Sequence, residues 1–367
     1  MLAPKTIGRL RLASQGLLTG FGSVPEAVRW MTAMQAQDLG SALWAVGQRV
    51  PGSTAADVRQ ALDAGTIVRS WPMRGTLHLL APEDLRWILG ITSPRLMRAV
   101  EGRHRELGIT PDDISHCRDL ALKTLHDLGG QGASREQLFT AFEDAGQPAR
   151  AQRGIHILGS LCQEATLVQG PVAVSNGKAG LQQLFVPFDQ WITGSRERDR
   201  EEGIAELLVR YVGSHGPATI RDFAWWTQIP LTEVRRALEA VQDQLVELAF
   251  DGISYWVSKD SAELLDGGVP GSRSLLALPG FDEFLLGYQD RSMVLAPEAA
   301  GLVVPGGNGV FKRIIVAGGE VVGTWARTGA GKSLGVVAEP FEGGLGPAAQ
   351  RSFQVQGRAY LKFMASW

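Results

Sequence analysis

Cysteine is scarce in this chain. Cys117 and Cys162 are the only two in 367 residues, too few for a disulfide framework and two ligands short of a closed zinc site. The six histidines are scattered, so no metal site is expected. No run of about 18 apolar residues occurs, which argues against a membrane span, and the first 18 residues lack the apolar stretch and small-residue cleavage site of a secretory signal. The expectation is a cytoplasmic protein in a reducing compartment, without a membrane partner. Charge of one sign is also lacking, with 36 Lys and Arg against 38 Asp and Glu and a net charge of −2.

What is present is an ordinary globular composition, 44% hydrophobic and 20% charged, with no segment polar or repetitive enough to stay disordered. At this length two to four domains are expected. Net charge does not describe the field at one surface. Between positions 67 and 105 stand seven arginines (69, 74, 86, 95, 98, 103 and 105) against three acids, Glu83, Asp84 and Glu101. That local excess suits either a solvated helix face or a nucleic-acid contact.

Apolar spacing predicts helices over 6–16, 24–34, 41–50 and 54–64. Short strands over 66–70 and 76–80 then flank the turn 71–75. The order repeats: helices over 82–89, 94–107, 111–128, 134–145 and 152–164 lead to strands at 165–169 and 184–187. Helices over 201–214, 219–226 and 231–242 lead to strands at 244–250 and 253–258. Helices followed by a hairpin is winged-helix order, and such units place a helix in the DNA major groove. After position 266, glycine pairs punctuate short apolar runs at 313–317, 321–325 and 334–337, the texture of a small barrel or sandwich. A helix over 347–363 follows. The fold expected is α+β, mainly α: winged helices over 1–81, 82–190 and 191–265, then a small C-terminal β-barrel over 266–367.

Ala330-Gly331-Lys332-Ser333 imitates the end of a phosphate-binding loop. The first glycine of that motif falls at Ala326, and the stretch lies between two predicted strands instead of a strand and a helix. It reads as a hairpin turn, so no nucleotide cofactor is expected.

The segment Met34-Gln35-Ala36-Gln37-Asp38 is more informative. In a continuing helix, residues two apart point to nearly opposite sides, but Asp38-Leu39-Gly40 signals that the helix stops. If the chain unwinds there, both amides are able to meet at one point, each offering one acceptor oxygen and two donor hydrogens. Two glutamines tying off a helix end would look the same in sequence.

That string, with Ser41-Ala42-Leu43-Trp44-Ala45-Val46-Gly47, Val68-Arg69-Ser70-Trp71-Pro72-Met73-Arg74-Gly75-Thr76-Leu77-His78-Leu79 and Ala81-Pro82-Glu83-Asp84, resembles the AlkZ/YcaQ family of bacterial winged-helix DNA glycosylases. The run from Pro279 to Arg291 resembles that family's C-terminal block, so the likeness covers nearly the whole chain. It implies three tandem winged helices and a β-barrel, with excision of alkylated or crosslinked bases from double-stranded DNA. Gln35-Ala36-Gln37 matches the AlkZ-like form of the catalytic motif, with Gln35 and Gln37 as the catalytic pair.

The expected DNA contacts are Arg69, Arg74 and His78 on the first hairpin, with Asp282, Tyr288 and Arg291 in the later block. No lysine accompanies the Gln35 region, which favours a monofunctional enzyme over a Schiff-base lyase. The chain is expected to act as a monomer associated with the nucleoid. A non-catalytic winged-helix transcription regulator or lesion-sensing DNA binder accounts for the repeats and local charge equally well.

Overall fold

A computed structural model of the chain describes residues 3–175, 178–307, 309–329 and 333–367. It is an α+β protein, with helices over about half of its length. Among the described residues no helix is long and apolar enough to cross a membrane. The chain divides into two compact units, one made of residues 1–58 and 204–367, the other of residues 59–203.

Along the chain, three helices precede a strand pair three times. Val24–Met31, Leu39–Arg49 and Ala55–Asp63 come before Val68–Met73 and Thr76–Leu80. Pro111–Asp127, Arg135–Asp144 and Arg153–Gln163 come before Leu167–Ser175 and Lys178–Pro187. Arg200–His215, Ile220–Thr227 and Leu231–Val241 come before Leu245–Phe250 and Ile253–Ser258. Several of these helices start at reciprocal caps. Thr110 with Asp113, Ser134 with Gln137 and Thr219 with Asp222 each satisfy two otherwise orphaned backbone donors.

In the 59–203 unit, one antiparallel sheet holds the strands in the order Thr76–Leu80, Val68–Met73, Leu167–Ser175, Lys178–Pro187. The first hairpin turns tightly through Arg74 and Gly75, both with positive φ (55° and 66°), the conformation a two-residue hairpin turn needs. The strand predicted to end at Ser70 therefore continues to Met73. A bulge between Ser70 and Met73 accommodates Pro72, which has no N–H to donate. The core of this unit gathers Cys117, Leu138, Phe142, Ile157, Leu161, Cys162 and Phe185.

Two helices predicted on either side of position 90 are one, Pro82–Glu106, with Pro94 inside. Proline removes one helical hydrogen bond. Here the neighbouring turn is fastened by Thr92, whose hydroxyl reaches the carbonyls of Ile88 (2.8 Å) and Pro72 (2.5 Å).

The C-terminal region corrects the expected barrel. Its strands lie in the order Gly335–Pro340, Glu320–Thr328, Arg313–Ala317, Leu275–Leu278, all antiparallel, and no closed barrel forms among the described residues. One face is covered by a core of Leu12, Leu276, Leu278, Phe284, Ile314 and Val316. On the other, Tyr360 of helix Pro347–Met364 meets Trp325 at 5.0 Å between ring centroids. Helices already bury both faces, so the sheet does not need to curl on itself. Residues 330–332 of the lysine-bearing turn lie outside the described residues. On either side of them, Thr328 and Gly335 are antiparallel partners.

Candidate active site

Helix Val24–Met31 ends earlier than the apolar pattern suggests, at Thr32, whose φ of 65° is in the left-handed region that a β-branched residue rarely adopts. Met34–Gln35 is then extended, and the next helix, Leu39–Arg49, starts at Asp38. Asp38 Oδ1 accepts the Ser41 N–H at 2.6 Å, so the cap is Asp38 and Ser41 lies inside the helix. Gln35 is partly exposed, Ala36 fully buried and Gln37 exposed. Gln35 closes the two-residue extended stretch, and Gln37 sits at the bend that leads into Asp38. Both glutamines keep solvent exposure, and buried Ala36 anchors the segment between them.

Beneath it lies a buried polar base built from residues of the same unit. Glu283, 1% exposed, accepts the backbone N–H of Gln35 on Oε1 at 2.8 Å and the Trp226 indole N–H on Oε2 at 3.0 Å. His215 Nε2 is 3.4 Å from the same Oε2, and its Nδ1 is 2.8 Å from the Ser214 hydroxyl. Tyr288, wholly buried, donates its hydroxyl to the His215 carbonyl at 2.6 Å and accepts from Gln15 Nε2 at 3.1 Å. Burial pushes its phenol well up, with the Arg11 guanidinium, 3.6 Å from the ring centroid, pulling the other way. Tyr211 donates to the Gly287 carbonyl at 2.6 Å.

Asp282 caps the short helix Glu283–Leu286 through the Phe284 N–H (2.9 Å) and forms a two-pronged ion pair with Arg49. Asp282 and Tyr288, expected as DNA contacts, are thus interior. Their polar atoms are engaged within the protein and face no open wall. Arg291 keeps partial exposure; its guanidinium carbon sits 5.3 Å from the Trp225 ring centroid and 5.0 Å from that of Phe311. The three border a groove of about 760 Å³.

Arg69, Arg74 and His78 belong to the other unit. Arg69 is buried, with Nη1 donating to Gln169 Oε1 at 2.9 Å. His78 is buried as well. Its Nδ1 is 2.9 Å from the Thr76 carbonyl and its Nε2 is 3.2 Å from Arg74 Nη2. A carbonyl only accepts and a guanidinium only donates, so this pattern requires the neutral tautomer with its proton on Nδ1. Arg74 alone of the three has surface to offer.

The structure is thus an α+β chain in which the Gln35–Gln37 segment is tied through the Gln35 N–H to a buried polar cluster. The chain belongs to the AlkZ-like DNA glycosylase family, whose model matches residues 28–363. It is 27% identical over 278 residues to an interstrand DNA cross-link repair glycosylase of Streptomyces sahachiroi, covering 71% of this chain and 70% of that protein. The solved structure of the Streptomyces sahachiroi DNA glycosylase AlkZ superposes with a TM-score of 0.81 at 23% identity, over 99% of this chain and 96% of that one.

Glu283, His215, Trp226 and Gln15 escape sequence reasoning. The one available signal is a carboxylate set between apolar neighbours in Phe281-Asp282-Glu283-Phe284-Leu285, and it does not say which of the two acids turns inward, or toward what.

Proposed function

We propose that this chain is a monofunctional glycosylase that releases cationic alkylated purines, of the N7-alkylguanine type, from duplex DNA, and that it unhooks interstrand crosslinks as its Streptomyces relative is named for doing. The reading takes the three helix-and-hairpin segments as tandem winged helices, Arg74 and Arg291 as phosphate contacts, and the chain as a monomer needing no cofactor. The observation that carries it is the exposure of Gln35 and Gln37 on either side of buried Ala36, in a chain of this family.

The chemistry asks little of the protein. A purine alkylated at N7 is positively charged, so its bond to C1′ is already weakened. As that bond breaks, its electron pair returns to N9 and neutralises the base. Water oxygen bonds to the oxocarbenium-like C1′ and releases a proton to solvent. Two neutral amides suffice to hold that water and stabilise partial charge. An uncharged leaving base would need more. A crosslinked base is also too encumbered to swing into a closed pocket, which an exposed amide pair does not demand.

The test is to incubate the purified protein with a duplex containing N7-methylguanine and to measure free base, beside a uracil duplex and Gln37→Ala. Base release from the alkylated duplex alone, lost in Gln37→Ala with DNA binding kept, supports the reading. Binding without release marks a lesion-sensing regulator, and robust uracil excision overturns the cationic-lesion assignment.

A further inference from the structure

We propose that Glu283 is a positioning residue for base release: its buried carboxylate holds the backbone of Gln35 and so fixes where the two amides point. The inference rests on the glycosylase reading above and assigns a residue that never reaches the substrate.

The geometry carries it. Glu283 occupies the first turn of Glu283–Leu286, held by the Asp282 cap and by Arg49, so its own backbone has little freedom. Its two oxygens divide their work. Oε1 is given to Gln35 N–H at 2.8 Å, and Oε2 to Trp226 Nε1–H at 3.0 Å with His215 Nε2 at 3.4 Å. His215 approaches this closely because position 287 is glycine: a Cβ there would stand 2.5 Å from His215 Cδ2.

An ionised acceptor makes a shorter and stronger bond than a neutral one, and burying a carboxylate is costly unless its lone pairs are used. A carboxylate placed only to stabilise the core would gain as much from interior donors alone. This one spends an oxygen on the single backbone donor that precedes the Ala36-Gln37 step. Extended chain of two residues has little intrinsic stability, so an outside acceptor there sets the orientation of both amides.

Full-length Glu283→Ala and Glu283→Gln are compared with wild type and Gln37→Ala. Single-turnover release of N7-methylguanine, affinity for the same duplex, and hydrogen exchange at the Gln35 amide are measured. Glu283→Ala is expected to slow release by about a hundredfold, or more, while duplex affinity stays within about threefold, because transition-state alignment is lost and not DNA contact. Exchange at Gln35 N–H should rise by about tenfold in the same variant. Glu283→Gln keeps a carbonyl oxygen for Gln35 and should recover release to within about tenfold of wild type.

Release by Glu283→Ala at the wild-type rate, or slow release with Gln35 exchange unchanged, overturns the inference. Should Glu283→Ala not fold, Glu283→Asp, which withdraws the carboxylate by one methylene, replaces it. Slow release from Glu283→Asp beside recovery in Glu283→Gln supports the inference, and wild-type release from Glu283→Asp overturns it. Failure of the underlying reading looks different: wild type releases no base, or Gln37→Ala releases it normally.

Discussion

Arg49 and Asp282, 233 positions apart, form a closed pair in which every guanidinium proton is used. Nη1 and Nη2 reach the two carboxylate oxygens at 2.9 and 3.0 Å. The remaining donors go to the Ala45 carbonyl, the Gln15 carbonyl and Gln15 Oε1. Both side chains are essentially without solvent contact. Such a pair is weak evidence for stability as a whole but expensive to break by halves, since the survivor keeps its charge in a low-dielectric interior. Arg49→Met is therefore expected to cost about 3–5 kcal/mol in chemical unfolding. Arg49→Met with Asp282→Leu should recover much of that loss. A double variant as unstable as the single one would show that the packing of Arg49, and not its charge, matters.

Ala36 offers a cleaner probe of the amide-bearing segment. It has no exposed surface and stands between the two glutamines, so a larger side chain must lift the segment or displace its neighbours. Ala36→Val is expected to lower stability by about 1–3 kcal/mol, the usual penalty for overfilling a packed site, and to slow base release more than it weakens DNA binding. Gln37→Ala, at an exposed position, should leave unfolding within about 0.5 kcal/mol of wild type. Thermal melts and single-turnover assays on the two variants separate the roles, and equal loss of stability in both would contradict the placement.

His104 supplies a pH dependence with a definite sign. Burial lowers its pKa below the ordinary 6.5, helped by His156, whose ring lies 5.4 Å away edge-on. The unfolded chain therefore takes up the proton first as pH falls. Stability is fully present above about pH 6.5 and is lost as pH drops through that value toward the lower folded one. His156 shifts the same way, by burial first and by Arg103 second. Melting temperatures between about pH 7 and pH 5 should fall more steeply for wild type than for His104→Phe. Parallel profiles would mean that the folded protein accommodates the imidazolium.

Much of this architecture is legible in the sequence because its cues are local. Strand Thr76–Leu80 and helix Pro347–Met364 lie almost where alternation and helical spacing put them, and the Thr219 and Ser134 caps announce their helices. Pro94 misleads because its local rule is overridden by Thr92 reaching a carbonyl twenty residues earlier. The barrel misleads for a related reason: glycine-punctuated strands say nothing about whether helices will cover both faces.

At the site, Asp38-Leu39-Gly40 marks a helix boundary, but not the expected one: the preceding helix has already ended at Met31, and Asp38 caps the helix that follows. The sequence gives no means of telling Glu283, turned toward Gln35, from a surface glutamate. Nor does it show that Asp282 and Tyr288 point inward, since both lie in a block whose family likeness suggests function without saying which atoms are exposed.

The arginine excess leads to a last prediction. Arg95 and Arg98 lie on the exposed side of helix Pro82–Glu106, and among the described residues neither enters an ion pair. Arg86 and Arg103, by contrast, are matched by Asp189 and Glu106. A paired guanidinium offers little net field, so of these four the unpaired two are the better phosphate contacts. Each phosphate neutralised releases counterions, and the logarithm of affinity falls with the logarithm of salt by about 0.9 per contact. Arg95→Ala with Arg98→Ala should weaken binding to alkylated and undamaged duplexes alike and reduce that slope by about 1.8. Base release under saturating DNA should be unchanged, because neither residue meets the reacting base in this reading. An unaltered slope would return both arginines to the solvated helix face, and a loss confined to alkylated DNA would move them into the lesion site.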